Sequence, residues 1–61
     1  MYEDYEYMLS QILEWAKSNS RFNDSTMRGI MENYEEYGRF TPHQEDAIRK
    51  VYYGWKVDEW N

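Results

Sequence analysis

The chain has no cysteine, a single histidine, one proline and three glycines, and it contains no long apolar run. Without cysteine, a disulfide framework and thiolate metal sites are excluded, and one histidine cannot build a metal cluster. A helix that spans a bilayer needs about 20 consecutive apolar residues, so no membrane partner is expected. The first residues, MYEDYEY, are acidic where a secretory signal would be basic. These absences predict a soluble cytoplasmic protein that binds no metal, cofactor or small-molecule substrate.

Positive charge is also scarce. The sequence has seven Lys and Arg but twelve Asp and Glu, which gives a formal net charge of -5. This balance disfavours non-specific attraction to nucleic acid or to an anionic membrane. A chain of 61 residues is long enough for one small core and too short for two domains or for a cofactor-binding enzyme fold. A single domain over residues 1–61 is therefore expected.

Aromatic residues are abundant, at 20% of the chain, and include seven Tyr and three Trp. Such a composition predicts that burial comes from a few large rings rather than from a mass of aliphatic side chains. Trp55 fits an inward-facing stripe and is expected in the core, whereas Tyr53 is the better candidate for an exposed ring. Trp60 is compatible with either position.

Apolar residues recur at spacings of three and four in three segments, which predicts amphipathic helices over about 3–18, 24–37 and 42–55. No segment alternates with a period of two over enough residues to make a sheet. The predicted fold class is therefore all-α, a compact three-helix domain with a short C-terminal tail. The inward-facing stripes consist of Tyr5, Met8, Leu9, Ile12, Trp15 and Ala16, of Met27, Ile30, Met31, Tyr34 and Tyr37, and of Ala47, Ile48, Val51, Tyr52 and Trp55.

Polar residues and glycine mark the helix ends. Asn23, or its neighbour Asp24, is placed to cap the second helix, and Gly38 supplies the left-handed residue that closes it. Thr41 and Gln44 form a capping-box pattern around the single proline, which suits a first helical position. Val57 and Trp60 follow the third helix in a tail that can fold back on the core.

Catalytic groups are lacking. His43 falls in the first turn of a helix, which opposes its charged form, and it is interpreted as a solvent-facing residue. Ser25 and Thr26 are more simply explained as helix-start residues than as nucleophiles. Eight of the twelve acids form adjacent pairs, whose side chains point about 100° apart on a helix and do not converge on one substrate atom. There is no phosphate-binding glycine loop. An enzyme is not expected.

Two surfaces are candidates for binding. The first is basic and aromatic, a combination that single-stranded nucleic acid uses for backbone contact and stacking, and it consists of Arg39, Arg49, Lys50, Tyr53 and Lys56. The second is acidic and suits a basic protein partner; it consists of Glu3, Asp4, Glu6, Glu32, Glu35 and Glu36.

The stretch from Trp15 to Val57 resembles a short helical domain of tailed phages that accompanies the T4-type recombination helicase UvsW. The similarity covers Phe22 with the polar cap after it, the helix end at Tyr37 and Gly38, the helix start from Thr41, and the third stripe. It implies a phage protein that acts in DNA recombination, replication and repair beside an ATP-driven helicase that remodels branched DNA. The catalytic machinery would belong to the helicase.

Two functional hypotheses follow. In the first, the chain is a non-enzymatic accessory module that binds the phage DNA helicase or single-stranded DNA through the basic and aromatic residues, inside the host cell. In the second, it is a small acidic phage protein that binds and inhibits a basic host protein, which itself can be a DNA-binding one. A self-associating helical protein is a further alternative.

Overall fold

The computed structural model describes residues 4–60. Three α-helices follow one another along this part of the chain, α1 (Tyr5–Ala16), α2 (Ser25–Tyr37) and α3 (Pro42–Gly54), and a short 3-10 turn (Val57–Glu59) comes after them. No strand occurs between residues 4 and 60. The predicted all-α, three-helix fold is therefore confirmed, and the tail forms the 3-10 turn.

Polar side chains make α1 shorter at both ends than the sequence pattern predicts. Asp4 lies at the N-cap rather than in the first turn, and its carboxylate accepts a hydrogen bond from the Tyr7 amide at 3.1 Å. At the other end, the side-chain amide of Asn19 donates to the Trp15 carbonyl at 2.8 Å. Because the helix stops at this cap, Lys17 follows the helix instead of lying in its last turn.

The two candidate caps of α2 have different roles. The side-chain oxygen of Asn23 accepts a hydrogen bond from the Ser25 amide at 3.0 Å, so Asn23 satisfies a free amide as predicted. Asp24 occupies the N-cap position without a capping hydrogen bond and pairs with Arg28 at 3.2 Å. The helix ends at Gly38, whose φ of 75° is the left-handed conformation expected there.

The start of α3 is a complete capping box. The Gln44 amide donates to the Thr41 hydroxyl at 3.1 Å, and the Thr41 amide donates to the Gln44 side-chain oxygen at 3.0 Å. Pro42 occupies the first helical position, where its missing N–H costs nothing. Because all of these contacts are local, the sequence predicts this helix start correctly.

The core lies where α1 packs against α3 and the C-terminal turn folds back on both. Leu9 and Ile12 of α1 and Ile48 of α3 are fully buried, and Val57 of the turn is 3% exposed. The centre is thus aliphatic, although the composition suggested large rings. Trp15 is the ring that joins the buried cluster, and Tyr5, Phe22, Phe40 and Tyr52 pack around it.

Tyr37 was expected on the inward stripe of α2, but the structure leaves it 66% exposed. Phe40, from the loop between α2 and α3, takes the neighbouring place. Its ring stacks on Tyr34, with centroids 4.4 Å apart, and meets Tyr5 edge-on at 6.4 Å. The prediction that Tyr37 faces inward is therefore wrong, because Phe40 of the loop, rather than Tyr37, packs at the end of the α2 stripe.

Trp55 was also expected in the core, and it is 49% exposed. The helix ends at Gly54, so Trp55 belongs to the following turn rather than to the helical stripe. Lys56 then adopts a left-handed conformation, with φ of 59°, and the reversal buries Val57 in the core. Val57 of the tail is therefore buried in the core in place of Trp55. Trp60, at the end of the tail, is 43% exposed.

Gly29 offers a test of local stability. A Cβ added at this position in α2 would meet nothing within 4 Å, so no close helix crossing requires glycine there. We expect Gly29→Ala to raise the free energy of unfolding by about 1 kcal/mol, the difference in helix propensity. Gly38→Ala is the matched control and should lower it by about 1 kcal/mol, because a Cβ strains the left-handed backbone. Urea denaturation followed by circular dichroism measures the stability of both variants. A loss of stability in Gly29→Ala would contradict the conclusion that α2 has room for a Cβ at this position.

Candidate functional site

The acidic residues at the start of α1 lie beside α2. The hydroxyl of Tyr34 donates to a carboxylate oxygen of Glu6 at 3.3 Å, which joins the start of α1 to the second half of α2 across 28 positions of sequence. Asp4 and Glu6 line a shallow cleft of about 340 Å³ there, and Phe40 is part of its wall. The N-cap role of Asp4 fixes one end of this cleft.

Three further acids lie on α2 and do not line this cleft. Glu32, Glu35 and Glu36 are all exposed. Residues two positions apart on a helix point about 160° away from each other, so Glu35 points away from Tyr37, which lines a cleft toward the start of α3. Glu35 therefore lies on the flank of α2 that faces away from α3.

We call Asp4, Glu6, Glu32, Glu35 and Glu36 the acidic surface. Glu3, the sixth acid of the predicted set, lies outside the described residues. Arg39 lies in the same cleft as Asp4 and Glu6 and forms no ion pair with any of residues 4–60. One cation thus borders the two carboxylates of this cleft.

The position of the three glutamates is unfavourable for the helix itself. They lie in the second half of α2, whose last turn contains no basic residue. The C-terminal end of a helix carries partial negative charge and favours cations. In addition, Glu32 is three and four residues from Glu35 and Glu36, and like charges at these spacings repel by about 0.2–0.5 kcal/mol per pair. Stability alone would place Lys or Arg here.

Two basic residues of α3 share one acid. Lys50 lies 3.1 Å from one oxygen of Asp46, and Arg49 lies 3.4 Å from the other. Arg49 also donates a hydrogen bond to the Tyr5 hydroxyl at 3.2 Å, which ties α3 to α1. The hydrogen bond and charge of Lys50, followed by those of Arg49, lower the pKa of Asp46 below its ordinary value. Asp46 is therefore charged at neutral pH and offsets one of the two positive charges.

The remaining members of the predicted basic set do not gather around these two. Arg39 precedes α3 and Lys56 follows it, and a helix of 13 residues is about 20 Å long. Tyr53 is 49% exposed, as expected, and its ring meets Tyr52 edge-on at 5.2 Å. The structure thus places Arg49, Lys50 and Tyr53 on one stretch of α3. Arg39 lies before the start of α3, in the cleft with Asp4 and Glu6.

A tyrosine cluster borders α3 on its α1 side. Partial burial raises the pKa of Tyr52, and the neighbouring Tyr7 and Asp58 add to the effect. Tyr7 itself is 55% exposed. Tyr7, Tyr52 and Asp58 come from α1, α3 and the C-terminal turn. Sequence spacing therefore gave no sign that these three groups are neighbours.

Features of other functional classes are few in the described part of the chain. His43 is exposed in the first turn of α3, as expected for a helix-start residue. Between residues 4 and 60, no three His, Cys, Asp or Glu side chains are grouped to hold a metal ion. Across the same stretch, none of the helices has the length and apolar character needed to cross a membrane.

Comparison with known proteins gives no matching family model, no matching curated protein and no matching solved structure. The resemblance to the phage domain that accompanies the recombination helicase therefore stays a hypothesis.

Proposed function

We propose that this chain is a non-enzymatic binding module of phage DNA metabolism, and that its acidic surface recognises a protein partner. The observation that carries the proposal is the position of Glu32, Glu35 and Glu36 at the end of α2 that disfavours negative charge. Local conflicts of this kind are typical of surfaces kept for function rather than for folding.

The partner is a protein with a basic surface. Complementary charge speeds encounter and fixes orientation, and proteins that handle DNA carry the basic surfaces that this requires. The recombination helicase implied by the resemblance is the first candidate partner. It would supply the ATP-driven chemistry, while this chain contributes contacts only.

A basic host protein is the second candidate partner, and the same five carboxylates favour it. An acidic surface that covers a DNA-binding groove would inhibit the host protein by exclusion. The two candidates differ in the partner and in the outcome, but both predict that binding weakens with salt, because exposed charges are screened over about 10 Å at 0.1 M ionic strength.

Single-stranded DNA is the less favoured ligand. The exposure of Tyr53 and Lys56 supports it. Against it, Arg49 and Lys50 already share Asp46, so phosphate contact there has to compete with a carboxylate. The net charge of -5 adds a repulsive background to any contact with DNA.

The proposal is tested by measuring binding of the purified chain to the immobilised recombination helicase, to a basic host DNA-binding protein, and to a fluorescein-labelled oligo-dT. We expect saturable binding to one of the two proteins at low salt, a lower affinity as salt rises, and no binding to the oligonucleotide. The reverse pattern, steep salt-dependent binding to oligo-dT and none to either protein, contradicts the proposal and favours the α3 residues.

A further inference from the structure

A second groove, separate from the acidic surface, lies between the start of α2 and the middle of α3. It has a volume of about 330 Å³, and four apolar residues line it: Phe22, Met27, Ala47 and Val51. Met27 is 2% exposed and forms the floor, whereas the other three are partly buried. Thr26 and Lys50 lie on the two walls. We call this the apolar groove.

The apolar groove continues onto exposed aromatic surface. The Phe22 ring packs edge-on against Trp55 at 5.2 Å, and Trp55 packs against Trp15 at 5.5 Å. Trp15 is buried, but Trp55 is 49% exposed. A half-exposed indole next to an apolar groove is typical of the anchor positions of protein interfaces.

The charge around the groove is opposite to that of the protein. Its two sides come from residues 17–28 and 47–57, which contain six of the seven Lys and Arg and the acid Asp24. The neighbouring Glu14 pairs with Lys17, and Asp46 pairs with Arg49 and Lys50. Asp24 is paired with Arg28. Arg21, next to Phe22, and Lys56, next to Trp55, are exposed and form no ion pair with residues of the described 4–60 stretch.

We infer that the apolar groove docks an acidic amphipathic helix of a partner protein. The apolar side chains of such a helix, spaced by three and four residues, fit between α2 and α3, and its carboxylates reach Arg21 and Lys56, which form no ion pair within residues 4–60. The charge complementarity selects the occupant, because a basic helix of the same shape would meet like charge on both walls.

A nucleic-acid strand fits this groove less well. Phe22 carries an aromatic ring, but that ring packs edge-on against Trp55, and Met27, Ala47 and Val51 offer no ring face for a base. Only Arg21 and Lys56 beside it lack an ion pair within residues 4–60, so few phosphates can be neutralised without breaking the Lys50 contact to Asp46.

The test uses two labelled synthetic helices of about 18 residues, long enough to fold, with the same leucine stripe. One carries glutamate beside the stripe and the other lysine. Fluorescence anisotropy at low salt should show saturable binding of the glutamate peptide at least about tenfold tighter than binding of the lysine peptide. Equal affinities, or no binding of the glutamate peptide up to about 1 mM, would overturn the inference.

Two variants locate the site. Thr26→Glu puts a negative charge on the groove wall, in the first turn of α2 where the helix dipole favours it, so folding is retained. Ser25→Glu is the control, since it adds the same charge one position earlier, on a side chain that does not line the groove. We expect Thr26→Glu to weaken binding of the glutamate peptide about tenfold. Ser25→Glu should change the affinity for this peptide less than about twofold.

Other occupants give different results. Equal effects of the two variants would place the peptide elsewhere and overturn the inference. Binding of oligo-dT that Thr26→Glu abolishes, without binding of the glutamate peptide, would make the groove a nucleic-acid site. Concentration-dependent dimerisation in sedimentation that Thr26→Glu abolishes would make a second copy of the chain the occupant. Either result also overturns the inference.

Discussion

Leu9→Ala is expected to lower the free energy of unfolding by about 3 kcal/mol, the typical cost of removing a fully buried leucine and leaving a cavity. Leu9 is 0% exposed at the centre of the core, where α1 meets α3 and the C-terminal turn. A domain of this size has a total stability of only about 3–5 kcal/mol. A large share of the variant should therefore be unfolded in water at room temperature.

Leu13→Ala is the matched control for this prediction. It makes the same chemical change one turn further along α1, at a residue that is partly exposed and lies at the edge of the core. We expect it to cost about 1 kcal/mol, since most of its loss is transfer free energy without a cavity. Urea denaturation followed by tryptophan fluorescence and circular dichroism measures both variants. Similar losses at the two positions would contradict the observed core.

The helices were predictable from the sequence because their signals are local. The capping box at Thr41 and Gln44 forms between residues three apart, and the left-handed Gly38 needs no distant partner. The spacing of the α1 stripe identified Leu9 and Ile12 correctly as inward-facing. Each of these features is decided within one or two turns of chain.

Predictions failed where burial depends on what the loops and the tail do. Tyr37 and Trp55 have the right spacing for their stripes. However, the loop residue Phe40 packs on Tyr34 at the end of the α2 stripe, and Val57 of the C-terminal turn is buried in place of Trp55. Both substitutes come from irregular segments. Hydrophobic periodicity says which face of a helix turns inward, and it does not say which residues outside the helix arrive there.

In the candidate site, too, features with a local sequence signal could be predicted and features that depend on distant residues could not. The pairing of Arg49 and Lys50 with Asp46 had a local signal, since Asp46 precedes them by three and four residues in a helix. The acidic residues were also visible as a set. The contact between Glu6 and Tyr34 was not predictable, because it joins residues 28 positions apart and no local pattern indicates it.

Replacing both Glu35 and Glu36 by lysine is expected to slow association with the protein partner by about tenfold or more at low salt, because electrostatic steering raises on-rates by factors of 10 to 1,000. The fold should be retained. The substitutions remove repulsion with Glu32 and place cations at the C-terminal end of α2, which should raise stability by about 0.3–1 kcal/mol. A more stable protein that binds more slowly is the signature of a surface kept for recognition.

Asp58→Lys with Glu59→Lys is the matched control, since both residues are exposed on the 3-10 turn and neither belongs to the acidic surface. Each reversal adds two positive charges, so either double variant moves the net charge from -5 to -1. Stopped-flow or surface-based kinetics over a salt series compares them. If the acidic surface steers the partner, the two on-rates differ at low salt and converge as salt screens exposed charges. If only the overall charge matters, both variants slow equally, and an unchanged on-rate in the Glu35 and Glu36 variant removes this surface from the interaction.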